Sequence, residues 1–235
     1  MNTRKYFLIF VVALFAVAAI SAFGAESRVN ISTDTTVLPE PDLSEPIARL
    51  NNNSRAVAAV AVKDLALMRT EQATQALISY IKTSKDDYMR IQVIETFAAD
   101  PSTAAGRALV ESVRDRNPYV RNAAIKSLGF RPDAESLPEL KRVLSEDIDI
   151  SDRKFALQAL SHHTSAASVE TVDNVLADKR NKRELRVMAA HSLKNMNTPA
   201  AKNRLEKYNN DTDVAVKNEV SPGRAEDQTK RKKGK

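Results

Sequence analysis

Residues 119–128, Tyr119-Val-Arg-Asn-Ala-Ala-Ile-Lys-Ser-Leu128, place an arginine at position 121 and apolar side chains three, four and seven residues later. Those steps fall on one face of an α-helix, so the stretch predicts an amphipathic helix. The phrase recurs as Tyr88-Met-Arg-Ile-Gln-Val-Ile-Glu-Thr-Phe97 and as Glu184-Leu-Arg-Val-Met-Ala-Ala-His-Ser-Leu193. Carried along the chain, the register gives reference positions Ala58, Arg90, Arg121, Arg153, Arg186 and Lys217, separated by 32, 31, 32, 33 and 31 residues. A period this constant predicts stacked copies of one structural unit.

The columns hold beyond the arginines. Three after the reference stand Ala61, Val93, Ala124, Ala156 and Ala189, four after stand Val62, Ile94, Ile125, Leu157 and Ala190, and seven after stand Leu65, Phe97, Leu128, Leu160 and Leu193. A second helix follows in each unit, carried by Leu77, Leu109, Leu140, Val172 and Leu205 and, four residues on, by Ile81, Val113, Leu144, Leu176 and Asn209. The polar Asn209 falls in the last of these, where a terminal repeat has no neighbour to cover its outer side and polar drift is expected. Ser54, Asp86, Asn117, Asp149 and Asp213 stand four before their references, where a short oxygen-bearing side chain satisfies free amides at a helix start; Lys182 breaks the pattern. Asn117-Pro118, Asp100-Pro101 and Thr198-Pro199 read as a cap followed by proline at the first helical position. A helix pair of roughly 30 residues cannot enclose its own apolar stripe and must stack on copies of itself. The expected fold is therefore all-α, an α-solenoid of about five antiparallel helix pairs with a partial sixth, over residues 47–220.

One motif carries a family resemblance: Asp/Asn, three residues, Arg, two residues, then Ala/Val followed by Ile/Leu, clearest from Asp86 to Ile94 and from Asn117 to Ile125. On it the units resemble HEAT repeats, and their short period resembles the bacterial subclass first noticed in phycobilisome lyases. The resemblance implies a right-handed superhelix. It speaks to fold more than to function, since that family hosts scaffolds, assembly factors and a few enzymes. In similar repeats the arginine pairs with an acid or carbonyl of an adjoining unit. Arg90, Arg121, Arg153 and Arg186 are thus expected to form a structural ladder rather than an anion-binding ridge, because an unpaired charge beside a packed interface is costly. The hydroxylases of this fold bind iron through His-Glu pairs, and the related glycosylases use tryptophan; this chain has neither a His-Glu pair nor a tryptophan.

General catalytic patterns are missing as well. The chain contains no cysteine, which excludes disulfides, thiol nucleophiles and cysteine zinc sites. Gly106 and Gly129 are the glycines of residues 26–220, too few for a phosphate-cradling loop. His162 and His163 are adjacent, so their side chains diverge, and His191 shares a column with Glu95, Lys126 and Gln158, which reads as a solvated face. Asp147, Asp149 and Asp152 lack the alternation and distal glutamate of a calcium loop. No catalytic residue, metal or cofactor is expected.

The net charge of +6 invites a nucleic-acid reading, but the charge sits at the ends. Arg4 and Lys5 contribute at the start, and Arg224, Lys230, Arg231, Lys232, Lys233 and Lys235 at the end, less Glu226 and Asp227, so the body balances and no nucleic acid is expected. Residues 1–24 read as a signal peptide, with a basic start, an uncharged run and the small residues Ala22 and Gly24 before a cut; an uncleaved anchor is the alternative. Residues 25–46, with Pro39, Pro41 and Pro46, read as an extended linker. Residues 221–235 read as a disordered basic tail whose Lys230, Arg231, Lys232 and Lys233 are candidates for contact with an anionic surface.

These readings combine into an exported, non-catalytic, monomeric scaffold that binds a protein partner. Its partner face is expected on the second helices, with Gln72, Arg107, Glu139, Asp173 and Lys202 as candidates. The alternative is an accessory or regulatory subunit of an envelope or membrane enzyme, held at the surface by its tail.

Overall fold

The computed structural model describes residues 42–131, 135–146 and 149–221. The expected signal segment, most of the linker, and Lys230, Arg231, Lys232 and Lys233 of the tail lie outside the described residues. Among those described, all regular structure is helical: α1 (Ser44–Leu50), α2 (Arg55–Met68), α3 (Glu71–Thr83), α4 (Asp87–Thr96), α5 (Thr103–Ser112), α6 (Pro118–Gly129), α7 (Ser136–Ser145), α8 (Ile150–Leu160), α9 (Ala166–Ala177), α10 (Arg183–Met196), α11 (Pro199–Glu206) and α12 (Val214–Val220). The even-numbered helices are the first helices of the units, and α3, α5, α7, α9 and α11 are the second. Each first helix packs on the next first helix and each second on the next second, giving two layers. Five pairs and a half-unit, α12, appear as the columns require, and α1 adds a helix against α2 that the register does not contain.

The apolar columns become one core. All fifteen first-helix positions from Ala61 to Leu193 are buried, as are Leu77, Leu109, Leu140, Val172 and Leu205 and the aliphatic residues four beyond them, while Asn209 stays partly exposed. Each first helix therefore buries a stripe that neither its own second helix nor solvent could cover alone, which ties stability to neighbours rather than to single repeats.

Helix starts follow the capping chemistry with three corrections. Asp86, Asn117, Asp149, Asp213 and Thr198 accept amide hydrogen bonds from their own first turns. Ser54 holds the cap position of α2 without a side-chain bond. Asp100-Pro101 does not start a helix. Ser102 caps α5, and Asp100 instead accepts the Ser102 amide (2.8 Å) and the Thr74 hydroxyl (3.0 Å), so its carboxylate ties the turn to α3. The linker also ends earlier than expected. Pro46 lies in the first turn of α1 and is buried, a position where proline's missing N–H costs nothing.

The first-helix layer is drawn tight by small residues. A methyl group at Gly129 would lie 2.7 Å from the Ala159 Cα and 3.0 Å from its carbonyl oxygen, so α6 and α8 approach at a distance only glycine allows. Two residues earlier the Ser127 hydroxyl meets the Ile94 carbonyl of α4.

Two caps carry a pH dependence. The Arg55 guanidinium donates to both oxygens of Asp86 (2.7 and 3.0 Å) and holds that carboxyl below its ordinary value of 3.8, against a smaller opposing effect of burial. Arg183 acts likewise on Asp213. A carboxyl with a depressed folded-state pKa stabilises above its unfolded value, and that contribution disappears as pH falls through the folded value. Thermal unfolding followed by circular dichroism should thus show a midpoint that drops below about pH 4, with a shallower acid slope in Asp86→Asn, which still caps α4 but no longer titrates.

Candidate functional site

The arginine ladder is where the repeats are tied. Arg90 donates from Nε to the Ile81 carbonyl at the end of α3 (2.9 Å) and pairs with Asp87 and with Asp115 of the next turn. Arg121 donates to the Asp115 carbonyl (3.0 Å) and to Asp152 of the next unit (2.8 Å). Arg186 donates to the Leu176 carbonyl (2.9 Å) and to Asp211 (2.6 Å). Arg153 differs. Its terminal nitrogen reaches the Asn181 side-chain oxygen (3.0 Å), and its Nε is buried without a partner. Each arginine thus reaches forward, Arg121 into the following unit and Arg90, Arg153 and Arg186 into the turn that leads to it, and Arg90, Arg121 and Arg186 also satisfy free carbonyls behind them, where positive charge is favoured.

The five second-helix candidates do not form a surface. Gln72, Arg107 and Lys202 are exposed, but Glu139 and Asp173 are buried. Glu139 is held by Arg142 of its own helix (2.7 Å) and Arg114 from the preceding unit (3.2 Å). Asp173 is held by Arg204 (2.7 Å) and by the Tyr208 hydroxyl (2.7 Å), whose phenol is raised well above its usual value by burial and then by Asp173 itself. These acids sit between successive second helices, and burial there requires a cation from the neighbouring unit. They tie that layer together and face no groove.

The open apolar surface lies on the other layer. Among the described residues the exposed large hydrophobic side chains are Val60 and Leu67 of α2, Tyr88 of α4, Tyr119 of α6, Phe130 at its end and Val214 of α12, and none belongs to a second helix. Tyr119 is 72% exposed. Cations and rings interleave along this face from unit to unit. The Arg55 guanidinium lies over Tyr88 (5.2 Å), Lys126 Nζ over Phe155 (4.5 Å), and Phe130 stacks on His162 (4.6 Å between centroids). The signal was present in the sequence: Tyr88 and Tyr119 stand seven before Glu95 and Lys126, hence on the same side as that solvated column.

The histidines play three separate parts. His163 is buried and donates from Nε2 to the Leu128 carbonyl (3.1 Å), His162 stacks on Phe130, and His191 meets Glu219 (3.1 Å). Among the described residues no group of three His, Asp or Glu side chains is placed to hold a metal, and no helix is long and apolar enough to cross a membrane.

The comparisons with known proteins agree with this architecture. The family profile of HEAT repeats matches residues 81–161. The chain is similar to the complex of CpcE and CpcF of phycocyanin lyase from Nostoc sp. PCC7120, at 18% identity with a TM-score of 0.51, over 86% of this chain and 79% of that one. Lower similarity extends to a designed armadillo repeat protein in complex with a (KR)4 peptide (14% identity, TM-score 0.45, 77% of this chain and 97% of that one). It extends also to human deoxyhypusine hydroxylase (14% identity, TM-score 0.42, 74% and 80%). No curated protein matches the chain in sequence.

Proposed function

We propose, from the premise that this chain carries HEAT repeats, that it is a non-catalytic scaffold whose first-helix face binds a protein partner. One observation carries the reading: the exposed large hydrophobics of the described residues all lie on first helices or their ends. Aromatic rings with adjacent cations are the side chains that dominate protein interfaces, and they tolerate exposure in a free scaffold because each has a polar edge or neighbour. The buried acids of the second layer, by contrast, are already consumed in holding the array together. We further propose export, on the basic start and uncharged run of residues 1–24, and attribute to Lys230, Arg231, Lys232 and Lys233 an auxiliary contact with an anionic surface.

Crosslinking and affinity capture with the full chain test the reading. A triple variant, Tyr88→Ser, Tyr119→Ser and Phe130→Ser, should lose captured partners at least about tenfold, since a single aromatic anchor is worth about 2 kcal/mol and three such side chains are removed. An Arg107→Ser control on the second layer should capture as the natural chain does. Equal capture by the triple variant, or no partner with the natural chain, overturns the proposal.

A further inference from the structure

The four ladder arginines occupy equivalent places, yet one junction is built differently. The acid 25 residues after Arg90 is Asp115, and 25 after Arg186 it is Asp211, and both pair with their arginine. Twenty-five after Arg153 stands Asp178, which does not. Both of its oxygens are taken by Arg180, Oδ1 by Nε (3.0 Å) and Oδ2 by a terminal nitrogen (3.0 Å), and Oδ1 also accepts the Arg180 amide. Arg121, whose corresponding acid Glu146 is held by Arg142, recovers a carboxylate from Asp152, but Arg153 pairs with no acid among the described residues. It keeps one neutral acceptor, Asn181, itself anchored to the Val175 carbonyl (3.0 Å), and a buried Nε with no acceptor at all.

The same junction holds a cleft of about 920 Å³ between α7 and α9. The corresponding cleft at Arg90, between α3 and α5, where Asp115 closes on the arginine, is about 250 Å³. Arg153 and Lys141 line the larger cleft together with Thr171 and Asn174, and its remaining charges are Glu170, Asp178 and Arg180. With Asp178 neutralised by Arg180, two cations face one free carboxylate, Glu170. A guanidinium that no carboxylate neutralises, lining a cleft beside a second cation, suits a carboxylate in charge.

We propose that this cleft binds an acidic side chain of a partner polypeptide, with Arg153 as its anchor and Lys141 as a second cation. The proposal rests on the scaffold reading only in assigning the carboxylate to a polypeptide. It uses the second-helix side, so one partner would be held at two places by different chemistry.

The test is calorimetric titration of the full chain with a terminally blocked penta-glutamate peptide, its penta-glutamine counterpart, and succinate. Expected are binding of the glutamate peptide that weakens with salt, no binding of the glutamine peptide, and a loss of at least about tenfold in Arg153→Gln. Because Arg153→Gln also touches a junction, a second pair of variants avoids it. Arg180 is 92% exposed in its side chain, and Arg180→Ala should release Asp178 to close on Arg153 and abolish binding. Adding Asp178→Asn to Arg180→Ala should restore binding to within about threefold. Failure of that restoration, undiminished binding by Arg153→Gln, or equal binding of the glutamine peptide overturns the site. Succinate binding as tightly as the peptide overturns the polypeptide assignment. Equal capture by the aromatic triple variant, or no partner captured by the natural chain, with peptide binding intact would count against the scaffold reading and leave this site standing.

Discussion

Arg186→Ala is expected to destabilise the C-terminal part of the array by about 3–5 kcal/mol, the range for removing one member of a buried ion pair. Arg186 is 5% exposed, and its side chain and that of Asp211 are almost equally sequestered. Alanine would leave the Asp211 carboxylate and the Leu176 carbonyl without their donor in a place water barely reaches. Most of the loss should be recovered in the double variant Arg186→Met, Asp211→Leu, because apolar replacement of both partners removes the stranded charge along with the attraction. Recovery stays incomplete, since Asp211 also accepts the Asp213 amide. The measurement is urea denaturation combined with amide hydrogen exchange. Protection should fall in α10–α12 and persist in α2–α6, because repeat arrays couple mainly to nearest neighbours. A uniform loss along the chain would contradict this account. Arg153→Ala provides the internal comparison at about 1 kcal/mol, having only a neutral hydrogen bond to lose.

Phe97→Ala is the second large effect, again about 3–5 kcal/mol, from lost burial and the cavity left behind. Phe97 is 1% exposed in a column otherwise filled by Leu65, Leu128, Leu160 and Leu193. Its carbonyl accepts from Arg131 Nη1 (2.9 Å), a buried cation one unit on, so the surrounding backbone is held and cannot collapse into the void. Phe97→Leu converts the residue to the side chain its own column uses and should cost less than about 1.5 kcal/mol. Similar midpoints for the alanine and leucine variants in denaturant would show that the ring is not filling a rigid site.

The core was legible in the sequence because burial repeats with the helix period and the helix period repeats with the unit. Ala124, Ile125 and Leu128 announce their own environment, and every aligned copy agrees. What crosses between units was less legible. The acceptors of Arg90, Arg121, Arg153 and Arg186 lie 25, 31, 28 and 25 residues on, scattered over turns whose shape no periodicity dictates. Glu139 and Asp173 misled for the same reason. A charged residue in a helix reads as solvated until the arginine supplied from another unit is known, and Arg114 and Arg204 reach them from 25 and 31 residues away. The aromatic face was open to sequence reasoning through Tyr88 and Tyr119, each two positions before a ladder arginine and on the solvated side of its helix. The Arg153 junction was the least accessible, since its distinctive feature is the diversion of Asp178 to Arg180, a choice between two nearby cations made by geometry alone.

The single helices at the two ends have a consequence for assembly. A stack of equivalent units has no intrinsic reason to stop, because the flank one repeat offers its successor resembles the flank a second molecule offers at its opposite end. Here α1 lies against α2 and α12 against α10, burying Leu50 at one end and Val216 at the other. Among the described residues, two segments of seven residues each therefore cover the flanks of the terminal units. Trimming either segment is expected to bare the apolar flank it covers and so to favour association between copies, which sedimentation of the trimmed chain would read.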